Sequence, residues 1–155
     1  MLIGVTGKSG SGKTTYARSL EGFTYIGFDD IGHEAVEAHA AELEKAFGTS
    51  DRKMLGELVF SSREKRQELT GMLWKDMQDR IDSRLHGDCV LDFILLPRTR
   101  YWSMCDRKVL VKAPLETRKA RVLARDGISE DYFDLRERAS IEYDEGEMDE
   151  IIDGA

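Results

Sequence analysis

Residues 7–14 read GKSGSGKT, from Gly7 through Lys13 and Thr14, and their setting decides the fold. The octapeptide satisfies G-x-x-x-x-G-K-[ST] in full, between the β-branched run LIGVT at 2–6 and the helical stretch TTYARSL at 14–20. Strand, glycine-rich loop and helix in that order make a phosphate cradle. The glycines let the backbone curl so that successive amides face phosphate oxygens at a helix N-terminus, where the dipole favours negative charge. Lys8, Ser9, Gly10, Ser11, Gly12, Lys13, Thr14 and Thr15 are therefore the expected binding segment for ATP. Lys13 reaches the β- and γ-phosphates as a flexible point charge. Thr14 offers its hydroxyl to Mg2+, which bridges those phosphates and offsets charge that develops during transfer.

Outward from the loop, TYIGF at 24–28 reads as a second strand, and CVLDFILL at 89–96 is a continuous apolar run of the kind buried on both faces of a parallel sheet. Val109 to Val111 form a fourth strand, with Pro114 opening the helix LETRKARVLARD. A helix from Ser129 to about Tyr143 and a short strand in MDEIID complete the pattern. Residues 31–86 carry helix signals only. HEAVEAHAAELEKAF reads as one helix, GTSD as a break with capping residues, and RKMLGELVF as a second helix. Ser61 and Glu64 then read as a capping box for a long helix whose Leu69, Met72, Leu73, Met77, Ile81 and Leu85 share one apolar face. The prediction is an α/β protein of P-loop NTPase type. It has three layers, a five-stranded parallel sheet with helices on both faces, and a helical insertion at 31–86 within one domain, 1–155.

The chain has 155 residues, 41% of them hydrophobic and 34% charged, with a net charge of −7. That apolar content excludes disorder, and no unbroken apolar run approaches the roughly 18 residues of a membrane span. The N-terminus lacks an export signal, so a cytoplasmic chain without a membrane partner is expected. Charge is unevenly placed. Residues 1–125 carry 21 Lys/Arg against 18 Asp/Glu, whereas residues 126–155 carry 2 against 12. The first part is thus free to hold small phosphates, while the total argues against a nucleic-acid partner. Cys89 and Cys105 lack metal-ligand spacing; Cys89 reads as a core residue and the pair as reduced.

Asp29-Asp30-Ile31-Gly32 matches the short D-x-x-G element of GTPases, but the guanine-reading N-K-x-D is absent. A small-molecule kinase fits the length. Such an enzyme needs an acidic group beside the acceptor hydroxyl, to orient it and take its proton. Asp29, after the second strand, is the expected base; Asp30 is the alternative, and helix capping is the structural role open to both. Asp92, inside the third strand, is costly there unless it faces the site, where it would hold a metal-bound water. Arg118, Arg121 and Arg125 share a helix face. Arg121 and Arg125 are read as a clamp on the transferring phosphoryl group, and Arg118 as part of a solvated surface. Arg98 and Arg100 follow the third strand, near where an anionic acceptor would lie.

With these residues placed, the chain resembles the dephospho-coenzyme A kinases over nearly its whole length. IGVTGKSGSGKTTYA is similar to the family's opening, and FDDIGHE to its catalytic segment, which puts that aspartate on Asp29. DRKMLGELVF carries D-R-x-x-L and V-F elements at Asp51, Arg52, Leu55, Val59 and Phe60. Leu95-Leu96 and RVLARDGISED match further elements, the latter a lid region at 118–140 with Arg121 and Arg125. The resemblance implies transfer of the ATP γ-phosphate to the 3′-hydroxyl of dephospho-coenzyme A, with 31–86 binding the acceptor. Departures are Leu73-Trp74 near the family's His-Pro pair, Ile94 and Arg98 where a proline and a glutamate flank the double leucine, and Ser140 near its glutamine. The last strand also runs into Gly154 instead of an asparagine and a terminal helix. Two other readings follow from these departures: a nucleoside or nucleoside monophosphate kinase with a nucleotide-like acceptor, or a catalytically silent nucleotide-binding protein.

Overall fold

The computed structural model describes residues 1–155 except for the side chain of Phe60, one of the residues carrying the resemblance, which lies outside the described residues. Its strands are β1 (Leu2–Thr6), β2 (Thr24–Gly27), β3 (Cys89–Asp92), β4 (Arg107–Lys112) and β5 (Glu150–Asp153). Its helices are α1 (Lys13–Arg18), α2 (Phe28–Ala38), α3 (Ala40–Phe47), α4 (Arg52–Ser61), α5 (Arg63–Arg84), α6 (Tyr101–Met104), α7 (Leu115–Asp126) and α8 (Glu130–Arg138). The chain forms two compact units, one of Met1–Gly27 with Gly87–Ala155 and one of Phe28–His86. Among the described residues no helix is long and apolar enough to cross a membrane.

The first unit is built on an all-parallel sheet of order β2-β3-β1-β4-β5. β1 is central, so its apolar residues are needed on both faces. Ile3 and Val5 join Val90, Val109, Val111 and Ala17 of α1 in one core, with Tyr16, Leu20 and Phe23 packed around it. Gly4 faces the other way. A Cβ there would lie 2.6 Å from Cys105 Sγ and 3.0 Å from Leu96, so the segment carrying buried Leu96, Tyr101 and Trp102 closes that face. Neither cysteine is in a disulfide: Cys89 is a buried strand residue, and burial pushes the Cys105 thiol up to about 12. The register sets Asp92 beside Val5 of β1 and beside Gly27 of β2, at the carboxyl ends of all three strands.

The second unit is helical. Ala35, Leu43, Leu55 and Leu73 make its core, and Leu69, Met72 and Met77 of the α5 stripe pack against it, so the methionines serve packing. Asp51 caps α4, accepting from the Met54 amide at 3.0 Å. Ser62 caps α5, accepting from Lys65 N at 3.3 Å.

Several local expectations are corrected. The second strand ends at Gly27, because Phe28 turns into α2, whose first turn carries Asp29 and Asp30 where the helix dipole favours acidic groups. The helical unit accordingly starts at Phe28, three residues before 31. The Ala- and Glu-rich helix breaks at His39, whose backbone departs to φ −110° and ψ 19°. The capping serine of α5 is Ser62, one residue after Ser61. β3 stops at Asp92, and the rest of the apolar run bends into a 3₁₀ turn at Leu96–Arg98. α8 ends at Arg138, five residues before Tyr143.

Leu43 is fully buried in the helical core. Leu43→Ala should therefore cost about 2–5 kcal/mol of stability, the transfer term plus the residual cavity, read from urea unfolding.

Candidate active site

β1 and α1 are joined by the loop Gly7–Gly12, and two of its glycines do what other residues cannot. Gly12, the N-cap of α1, has φ +93°. Gly10 has φ +78°, and a Cβ on it would fall 2.6 Å from the Arg118 carbonyl. The loop therefore lies directly on α7, an approach that only glycine permits. Ser11 N donates to Lys8 O at 3.1 Å, closing the turn. The Ser11 side chain is buried, and its hydroxyl has no partner among the described residues.

The first turn of α1 carries Lys13 and Thr14. Thr14 Oγ1 donates to Asp92 Oδ2 at 2.6 Å, and Tyr25 OH donates to the same oxygen at 2.6 Å. Asp92 is only 5% exposed. Its other oxygen, Oδ1, is buried with no partner among the described residues. A buried carboxylate oxygen with no donor is costly, so a cation or a cation-bound water beside it would be strongly favoured. With its proton committed to Asp92, Thr14 keeps oxygen lone pairs for a ligand. One hydroxyl and one carboxylate oxygen are the hard donors that Mg2+ takes, with water and phosphate completing its shell. The residues fit the ion that the sequence implies.

The three aligned arginines of α7, of which Arg121 and Arg125 are the ones expected at the site, have different placements. Arg121 Nη1 donates to Gly10 O at 3.0 Å, so it braces the loop from α7. Arg125, at the end of α7, pairs with Asp126, Nε to Oδ1 at 2.7 Å and Nη2 to Oδ2 at 3.0 Å, and is exposed. Arg118 is the correction: it is no solvated surface residue but is 6% exposed. Its guanidinium meets Glu137 of α8 at 2.9 and 2.8 Å in a two-pronged pair and donates Nε to Ala113 O at 3.0 Å. Helical spacing alone does not say which of three aligned arginines turns inward. Glu137 also lies 3.6 Å from Lys8 Nζ, with Glu142 at 3.4 Å, so an acidic pair from the C-terminal stretch reaches the phosphate loop.

A cleft of about 250 Å³ beside the loop is lined by Lys8, Ser11, Val111, Lys112, Arg118 and Tyr143. The Tyr143 hydroxyl donates to Ile94 O at 2.7 Å, and burial pushes it up to about 12. Tyr25, Glu137 and Tyr143 are site neighbours that sequence reasoning did not find. Only Tyr25 had a signal, since strand alternation puts it on the same face as Gly27, and Gly27 pairs with Asp92. Asp29 and Asp30 are exposed in the first turn of α2, in the helical unit. Arg98 is exposed on the turn after β3, and the Arg100 guanidinium lies 4.9 Å from the Tyr101 ring centre.

A family model described as Dephospho-CoA kinase matches residues 1–150. A dephospho-CoA kinase of Thermus thermophilus is 34% identical over an alignment that covers 94% of this chain and 77% of the relative. One from Bacillus licheniformis is 29% identical, covering 100% of this chain and 88% of its own length. Among solved structures, TT1252 from Thermus thermophilus superposes with a TM-score of 0.81 at 32% identity, over 97% of this chain and 86% of that one. A dephospho-CoA kinase from Campylobacter jejuni shares the fold, with a TM-score of 0.57 at 21% identity over 97% of this chain and 86% of its own.

Arg118, donating to Glu137, holds that carboxyl below its ordinary value of 4.5. The pair's contribution is therefore complete above that value and is lost as pH falls through the lowered one. Glu137→Gln leaves a buried guanidinium unpaired and should cost about 3 kcal/mol at neutral pH. Its stability should also fall less steeply than that of the parent chain between neutral pH and acid, measured by denaturant unfolding across pH.

Proposed function

The chain belongs to the dephospho-CoA kinase family, and on that footing we propose that it transfers the γ-phosphate of ATP to the 3′-hydroxyl of dephospho-coenzyme A, giving coenzyme A and ADP. The observation that carries the reading is the Thr14–Asp92 contact, which brings two hard oxygen donors together beside the phosphate loop of a chain matched to the family over residues 1–150. Bound there by Thr14 and Asp92, Mg2+ would supply charge neutralisation on the phosphates.

The chain's own residues have distinct tasks in this proposal. Lys8, Ser9, Gly10, Ser11, Gly12, Lys13, Thr14 and Thr15 hold the triphosphate through backbone amides, hydroxyls and the Lys13 ammonium. The Lys13 ammonium makes no hydrogen bond or ion pair among the described residues, which suits a side chain kept for phosphate. Asp29 accepts the proton of the acceptor hydroxyl; its exposure at the start of α2, immediately after β2, supports that role. Arg121 and Arg125 stabilise the transferring phosphoryl group as guanidinium donors. For Arg121 the support is its bond to Gly10 O; for Arg125 it is an exposed position in the last turn of α7. The helical unit binds the acceptor, the 118–140 segment is the lid, and the reaction runs in the cytoplasm.

Coupled ADP release over a panel of acceptors tests the reading. Turnover is expected with dephospho-coenzyme A, and turnover with nucleosides or nucleoside monophosphates alone would overturn it. Asp29→Asn should lower kcat by about 10²-fold or more while leaving ATP binding intact. Unchanged turnover in that variant would move the base to Asp30.

A further inference from the structure

Asp92 carries two hydroxyl donors on one oxygen and none on the other. Thr14 belongs to the phosphate-loop motif, but Tyr25 does not, and the reading of Thr14 and Asp92 as cation ligands leaves its contact unused. The sheet explains how the contact arises. Gly27 pairs with Asp92 and Tyr25 with Val90, so Tyr25 lies diagonally behind Asp92 on the same face. Gly27 places no side chain between them, and the phenol reaches across to Oδ2.

The ring is held at both ends. The Arg18 guanidinium carbon lies 4.7 Å from its centroid, and the ring packs against the core that contains Val90 and Ala17. A phenol keeps its O–H at neutral pH, so at 2.6 Å from Oδ2 it is a donor to the carboxylate. A carboxylate with one donor is free to rotate and share that donor between its oxygens. With two donors converging on Oδ2 it has one orientation.

We propose that Tyr25 is a positioning residue for the divalent cation: with Thr14 it occupies Oδ2 of Asp92 and so reserves Oδ1 for the cation or its bound water. This rests on the reading of Thr14 and Asp92 as the cation site. Tyr25 touches neither ATP nor acceptor in this role; it acts through Asp92, as the outer hydrogen-bond partners of metal-binding carboxylates do.

The test is Tyr25→Phe in the full chain, which keeps the ring against Arg18 and the core and removes only the donor. Mn2+ affinity is titrated by electron paramagnetic resonance in the presence of a non-hydrolysable ATP analogue, and affinity for the same analogue is measured separately in EDTA. The expected result is Mn2+ binding weakened about tenfold, with metal-free nucleotide affinity unchanged. Mn2+ affinity equal to that of the parent chain overturns the role. So does an equal loss of metal-free nucleotide binding, which would make Tyr25 a support for the loop alone. Asp92→Asn is run alongside. If it weakens Mn2+ binding and Tyr25→Phe does not, only the role of Tyr25 falls; if neither does, the cation-site reading falls and this inference with it.

Discussion

A carboxylate buried at the end of an inner strand needs donors, and in this protein Asp92 receives two of them on Oδ2, one from each of the elements α1 and β2, while Oδ1 has none among the described residues. Thr14 comes to it from the first turn of α1 and Tyr25 from β2, each at 2.6 Å. That convergence ties the phosphate loop to the sheet in one register. The loop springs from β1, and β1 pairs with β3 so that Val5 lies beside Asp92. A shift of one residue in this pairing would send Asp92 to the other face and leave an unpaired charge in the core, a cost of several kcal/mol. Parallel pairing, loop curvature and carboxylate position therefore constrain one another.

The other side of the loop is held by α7 and α8. Gly10 lies against the Arg118 backbone, Arg121 donates to the Gly10 carbonyl, and Glu137 joins Arg118 to the neighbourhood of Lys8. The Arg118–Glu137 pair contributes definition more than net stability. Desolvation offsets much of a buried ion pair, whereas breaking it strands a charge. It makes α8 register against α7 in one way, and it brings acidic residues of the C-terminal stretch up to the loop. The negative charge of residues 126–155 is thus partly local ballast for Lys8, and partly solvated surface.

How much was legible in the sequence depended on whether the signal was local. Gly7 to Thr14 is a contiguous pattern whose conformation follows from its glycines, so loop, flanking strand and helix could be read directly. The first four strands were likewise recognisable as apolar or β-branched runs between turn signals, and the fifth as the short IID stretch of an acidic segment. Boundaries went wrong where tertiary packing outweighed propensity. Phe28 is apolar enough to continue β2 but buries itself by starting α2, and the Ala-rich run breaks at His39. Ser61 and Ser62 are equally good capping residues on composition, and the approach of the Lys65 amide picks the second.

Sequence by itself determined that this chain folds around a phosphate loop on a parallel sheet and carries the residues of a phosphoryl-transfer enzyme. Those properties reside in neighbours along the chain, where spacing and backbone freedom are fixed covalently. Only the tertiary structure decided which of three aligned arginines is buried against a glutamate 19 residues away, and which tyrosine finds Asp92 across 67 residues. Such pairings depend on strand register and helix rotation. They are set by the burial of the whole apolar core, and no short stretch of sequence contains that information.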